Sequence, residues 1–377
     1  MRPRRRAPPP APAARAIPRS SEFRSQIFLR APHAKTKIKN EWQNINMRKH
    51  VARAWELGRS THLDGEKLPS TLHRWGNHHL GKARLAALLQ NATVMSACII
   101  FTGATCARSA HFHVSGLDYH DKVGSILQGT KSPLGADMAA YNLRLDQARG
   151  DGLIFDYGAN IGIAAVAAYL INTVGREREG CVRVLALEPV PESYLFLRWN
   201  LLANGVPLIS NRSRCGVLPL NMAASRTRGN VTLAVGYRSM NAVVEGVGYL
   251  APEPHTAVRR YEVRSTTFEE RLHEMQTMQT PQHYPHTSQQ PSLQYVDLLK
   301  LDCEGCEAEV YHELLSRPSL AGRIRAVTGE LHGCLHRVRH GSGGTRTSTF
   351  LKQQCQRMAR YFREHWNRTG GDALMLV

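Results

Sequence analysis

The middle of the chain alternates between short apolar runs and longer amphipathic stretches. GLIFDY (152–157), VRVLAL (182–187), DLLKL (297–301) and VTGEL (327–331) are apolar runs of strand length. Between the first two lies the Ala-rich IAAVAAYLI. After the second comes PVPESYLFLRWNLLA, with Tyr194, Leu197 and Leu201 at helical spacing. Strands that are apolar throughout and separated by helical segments predict a parallel sheet covered by helices on both faces. LPLNMAAS (218–225) reads as a third strand and loop, FLKQQCQRMARYFREHW (350–366) as a helix and DALMLV (372–377) as a strand. VTLAV (231–235) and YEVRST (261–266) read as a β-hairpin insertion. The uncharged, Gln-rich stretch 275–294 reads as a low-complexity insertion at a loop tip.

Two segments depart from this alternation. Residues 1–60 are rich in Pro and Arg, with 15 Lys/Arg against 3 Asp/Glu. Such a segment cannot bury apolar area and is expected to be a disordered or targeting tail. Residues 85–107 contain no charge over 23 positions. That length reaches across a bilayer, so membrane anchoring through 85–107 is one reading. A buried helix or strand within an N-terminal extension, 61–150, is the favoured one. Compartment stays open among an organelle, a membrane-anchored lumen and the cytoplasm.

The net charge of +19 is concentrated in the tail, and residues 151–316 are slightly acidic (14 Lys/Arg against 18 Asp/Glu). This argues against a nucleic-acid substrate. Eight cysteines in so long a chain are not expected to form a disulfide framework. Cys303 and Cys306 form a C-x-x-C without a second pair to complete a zinc site, and His78, His79, His111 and His113 read as ordinary loop or surface histidines.

The candidate chemistry lies where apolar runs end. FDYGANIG (155–162) carries Asp156, Gly158, Asn160 and Gly162 between a strand and a helix, and Glu188 closes the next strand. Glycines permit the sharp turn, and an acid at the second strand tip can bind both hydroxyls of a ribose, each bond contributing about 1.5–3 kcal/mol. Asp156 in the turn would repel a pyrophosphate but suits a cationic aminoacyl group. The residues therefore favour S-adenosylmethionine over a dinucleotide. The asparagines Asn200 and Asn204 read as helix and turn residues, and Asn160 doubles as a candidate helix N-cap.

In order, D-Y-G-A-N-I-G, E-P-V-P-E-S-Y-L-F-L-R-W-N and D-L-L-K-L-D-C-E-G-C-E resemble the motifs of the FkbM-type methyltransferase family over about residues 151–333. The resemblance implies a Rossmann-like class I methyltransferase in 151–377: a mostly parallel, doubly wound α/β sheet with the hairpin insertion. It implies S-adenosyl-L-methionine as cofactor, held by Asp156, Gly158, Ala159, Asn160, Gly162, Glu188 and Pro189. It implies O-methylation of a hydroxyl on a small-molecule, sugar or lipid acceptor. RNA or protein methylation, or an inactive cofactor-binding relative, are the alternatives. Asp302, Glu304, Glu330 and His332 follow strand ends and are the catalytic candidates. A divalent cation at Asp302 and Glu304 is an open option, and Glu307 is either functional or a helix-start carboxylate. Asn241 resembles a family asparagine that touches substrate. Oligomeric state is not legible.

Overall fold

The computed structural model describes residues 68–99, 108–115, 143, 145, 151–173, 181–210, 215–236, 242–244, 257–278, 295–331, 345–366 and 375–376. The expected tail 1–60, Asn241, His332 and residues 279–294 lie outside them.

The central sheet has six strands, all parallel. They are β3 (Gly152–Tyr157), β4 (Val182–Leu187), β5 (Gly216–Leu220), β10 (Leu298–Leu301), β11 (Val327–Leu331) and β12 (Met375–Leu376), in spatial order β12-β11-β10-β3-β4-β5. The chain enters at β3, winds outward to β5, then returns to β10 on the other side of β3. β3 and β10 thus flank the topological switch point, where ligands bind in open α/β sheets.

The two-residue period of the strands sorts side chains between two cores. Ile154, Val184, Ala186, Val217 and Leu298 join one, beneath α3 (Ile163–Thr173) and α4 (Pro191–Ala203). Leu153, Phe155, Tyr157, Leu185, Leu187, Leu299 and Leu301 join the other. This second core lies beneath α5 (Phe268–Thr277), α6 (Cys306–Ser316) and α8 (Thr345–Trp366), with the short α7 (Pro318–Ala321) at its rim. Continuing the same period places Asp156, Lys300 and Asp302 on the α3–α4 face.

The stretch 85–107 is not one helix. α2 (Lys82–Gln90), which follows α1 (Ser70–His79), is capped at Asn91, and β1 (Ala92–Ile99) pairs antiparallel with β2 (Arg108–Ser115). Among the described residues no helix is long and apolar enough to cross a membrane. Leu72, Leu85, Leu88, Ala110, Phe112 and Val114 join the α3–α4 core instead.

β2 is held by two asparagines. Asn204 accepts the His111 amide at 2.8 Å and donates to its carbonyl at 2.7 Å; Asn200 does the same for His113 at 2.6 and 3.2 Å. Residues four apart on a helix rise about 6 Å, and residues two apart on a strand about 6.8 Å, so the two carboxamides stand in for a neighbouring strand. His113 is fully buried and stacks on Trp199 with centroids 3.8 Å apart, which corrects its reading as a loop or surface residue. The same α4 face carries Glu192, whose buried carboxylate accepts from Arg84, Arg259 and Tyr261.

The expected hairpin is part of a four-stranded sheet ordered β6-β9-β7-β8: β6 (Ala223–Ala224), β7 (Gly229–Gly236), β8 (Ala242–Val244) and β9 (Ala257–Thr266). The Gln-rich reading from residue 275 starts too early. Thr267 and Glu270 form a capping box, and Phe268, Leu272 and Met275 recur on one face, so the helix continues to Thr277 with Met275 buried.

The cysteines also differ from expectation. Cys181 pairs with Cys215 and Cys303 with Cys306, and Cys355 is disulfide-bonded as well. Cys181 and Cys215 lie just before the adjacent strands β4 and β5, so the sheet itself brings them together, with Cα atoms 5.1 Å apart.

Candidate active site

The turn after β3 is built by its backbone. Gly158, Asn160 and Gly162 all have positive φ, 79°, 51° and 91°. A Cβ on Gly158 would lie 1.8 Å from the Asp302 carbonyl oxygen, so the turn can touch the end of β10 only with glycine there. Gly162 meets Leu197 of α4 in the same way, at 2.6 Å, which lets α3 approach α4. The helix starts at Ile163, so Asn160 is not its N-cap.

The turn's amides are consumed within the protein. Gly158 and Ala159 both donate to the Leu187 carbonyl at 3.1 and 2.9 Å, and Gly162 donates to Ala159 at 2.8 Å. Asn160 donates to Glu188 Oε2 at 2.7 Å, while the other Glu188 oxygen accepts from Val190 at 2.8 Å. Asn221, after β5, donates to the carbonyls of Glu188 and Pro189, both at 2.9 Å. Burial pushes the Glu188 carboxyl up to about 7. The Val190 and Asn160 amides and the Lys300 charge oppose this shift, and Asp156 adds to it.

Asp156 is buried at the end of β3. Among the described residues its Oδ2 has no hydrogen-bond partner, and neither has the buried Oδ1 of Asn160. Lys300 Nζ lies 2.9 Å from Asp156 Oδ1 and 3.8 Å from Asp302 Oδ2, and donates to the Gly158 carbonyl at 3.2 Å. Burial disfavours the ammonium, but Asp156, Asp302 and Glu330 more than offset it, leaving its pKa above the ordinary lysine value. Lys300 is a site residue beyond those expected from the motifs. Its signal was a single charge inside an otherwise apolar strand.

The structure therefore brings Asp156, Gly158, Ala159, Asn160, Gly162, Glu188 and Pro189 together at the switch point. Asp302 and Glu304 follow on the facing strand, half-exposed, with Glu330 on the next. Glu304 has φ 55°, strain of the kind that collects at functional sites. Glu307 is different. It is buried and accepts the amides of Cys303 and Gly305 at 2.9 and 2.7 Å, so it shapes the acidic turn rather than facing a ligand. Glu309 and Glu313, on the same helix, hold Ser225 with Arg226 and the first amides of α5. Asn200, read as a plain helix residue, donates to the Ile161 carbonyl at 2.8 Å and so ties the turn to α4 and β2. Among the described residues no three His, Cys, Asp or Glu side chains gather as metal ligands.

Comparison with known proteins agrees with this geometry. The family model of the methyltransferase FkbM domain matches residues 156–365, from the first acid of the turn to the end of α8. No curated protein and no solved structure matches the chain significantly.

Proposed function

The chain belongs to the FkbM methyltransferase family, and we propose that it transfers the methyl group of S-adenosylmethionine to a hydroxyl of a small-molecule, sugar or lipid acceptor. The turn 156–162 carries this reading. Its amides at Gly158, Ala159, Asn160 and Gly162 are spent internally, whereas Asp156 Oδ2 and Asn160 Oδ1 are buried acceptors without donors among the described residues. A pyrophosphate asks for the reverse, free amides and no acid. A cationic aminoacyl group supplies the missing donors.

These residues fit an S-adenosyl cofactor. Asp156 and Asn160 face its aminoacyl end, and Glu188 its ribose, because each carboxylate oxygen keeps lone-pair capacity beyond the one amide it accepts. When bound, the cofactor supplies an electrophilic methyl group on a sulfonium. The protein's own contribution is mainly orientation, worth on the order of 7–11 kcal/mol when the reacting atoms are held about 3–3.5 Å apart in line. We assign orientation of the acceptor hydroxyl to Asp302 and Glu304, which border the switch point. Its proton passes to a base supplied by Glu330 on β11 or by His332, which follows it in the sequence; an imidazole is suited to that role near neutrality.

The test is transfer of labelled methyl from S-adenosylmethionine to panels of hydroxylated sugars, lipids and small metabolites, with RNA and protein alongside. Methyl ethers are the expected products, and Asp302→Asn should lower kcat about a hundredfold while cofactor affinity holds. Label moving only to RNA or protein would overturn the acceptor class.

A further inference from the structure

Lys300 stands in the middle of β10 with only 2% of its surface exposed, in a run that is otherwise leucine. Burying an ammonium there is costly unless its charge is used. Its register partner on β3 is Asp156, so the two side chains project from the same face of the sheet at the switch point. Nζ reaches Asp156 Oδ1 at 2.9 Å and the Gly158 carbonyl at 3.2 Å. One side chain thus ties the buried acid of the turn to the turn's own backbone, at the place where the missing Gly158 Cβ lets the turn meet β10.

We propose that Lys300 is a positioning residue of the cofactor site, holding the Asp156 carboxylate oriented so that its Oδ2 receives the cationic aminoacyl group of the methyl donor. This rests on the methyl-donor reading above. The charged groups converging here are Asp156 on β3, Glu188 after β4, Asp302 after β10 and Glu330 on β11, with Lys300 among them. Remove the ammonium and four carboxylates share one half-closed site. Asp156, the most enclosed next to Lys300, then loses the charge-assisted contact that fixes its direction, and its Oδ2 no longer meets the cation squarely.

The test is calorimetric titration of the full chain with S-adenosylhomocysteine, which carries the same aminoacyl group. Wild type and Lys300→Gln are compared at about pH 8, above the titration of Glu188 at about 7, each with and without Asp156→Asn. Lys300→Gln should bind about tenfold more weakly than wild type, and the same change should cost nothing further in the Asp156→Asn background. A ratio near one, or an equal deficit in both backgrounds, overturns the proposal. If Lys300→Gln fails to fold, Asp156→Asn/Lys300→Gln removes both charges together. That variant should fold and bind as weakly as Asp156→Asn. Wild-type affinity in it, or failure to fold, makes Lys300 a residue of the fold alone and overturns the assignment. A folded wild type that binds nothing overturns the methyl-donor reading itself, and this proposal with it.

Discussion

The Glu188 carboxylate accepts the Asn160 amide at 2.7 Å, so the acid at the tip of β4 clamps the turn that follows β3. The residue assigned to the ribose thus also fixes the shape of the pocket, and its ionisation sets both.

Because burial raises the Glu188 carboxyl to about 7, cofactor affinity should be steady above that pH and fall below it. The loss should approach tenfold per pH unit at the acid end, and Glu188→Gln should flatten the profile. The fold responds oppositely. The folded pKa lies above the unfolded value of 4.5, so ionised Glu188 opposes folding as pH rises from about 4.5 to 7. The cost at neutral pH is about 3 kcal/mol. Melting of wild type and Glu188→Gln without cofactor should therefore diverge in favour of the variant between pH 5 and 7.5.

Gly158→Ala should be among the most damaging single substitutions in the chain. Its φ of 79° and a Cβ 1.8 Å from the Asp302 carbonyl would force β3 and β10 apart, costing at least about 3–4 kcal/mol and cofactor binding with it. Gly81 has a similar φ of 80° but nothing within 4 Å. Gly81→Ala should cost only about 1–2 kcal/mol. Denaturant unfolding of the two variants separates contact from strain.

Asn200→Ala should be worse than Asn204→Ala. It strands the buried His113 amide and carbonyl together with the Ile161 carbonyl, a loss of about 2–4 kcal/mol. Asn204 serves His111, whose side chain is exposed, and its removal should cost about 1 kcal/mol. Only Asn200→Ala should also weaken cofactor binding, because only Asn200 holds the turn.

Removing the Cys181–Cys215 disulfide by paired serine substitutions should cost about 3–4 kcal/mol, since it closes a span of 34 residues. The same change at Cys303 and Cys306, three apart, should cost less than about 2 kcal/mol. Urea unfolding under non-reducing conditions reads both.

What the sequence made legible was local. Asp156, Gly158, Asn160, Gly162 and Glu188 announce themselves because turn glycines and strand-end acids sit within a few residues of the apolar runs they serve. What stayed hidden depended on distant partners. Asn200 and Asn204 have partners about 90 residues earlier, at His113 and His111. The uncharged run 85–107 gave a length but not the neighbouring strand at 108–115 that turns part of it into a hairpin. Disulfide partners follow from sheet order, which spacing does not reveal. Lys300 was visible as a lone charge, but its meaning required knowing that β10 returns beside β3.

The most direct measurement is calorimetric titration of the full chain with S-adenosylhomocysteine, for wild type and Glu188→Ala. The full chain is needed because α1, α2 and β1 share the core beneath α3 and α4. One site per chain is expected in wild type, with binding weakened at least about a hundredfold in the variant, as two ribose bonds and the clamp on Asn160 are lost. A folded wild-type protein that binds no S-adenosylhomocysteine, or a Glu188→Ala protein that binds it equally well, would contradict it.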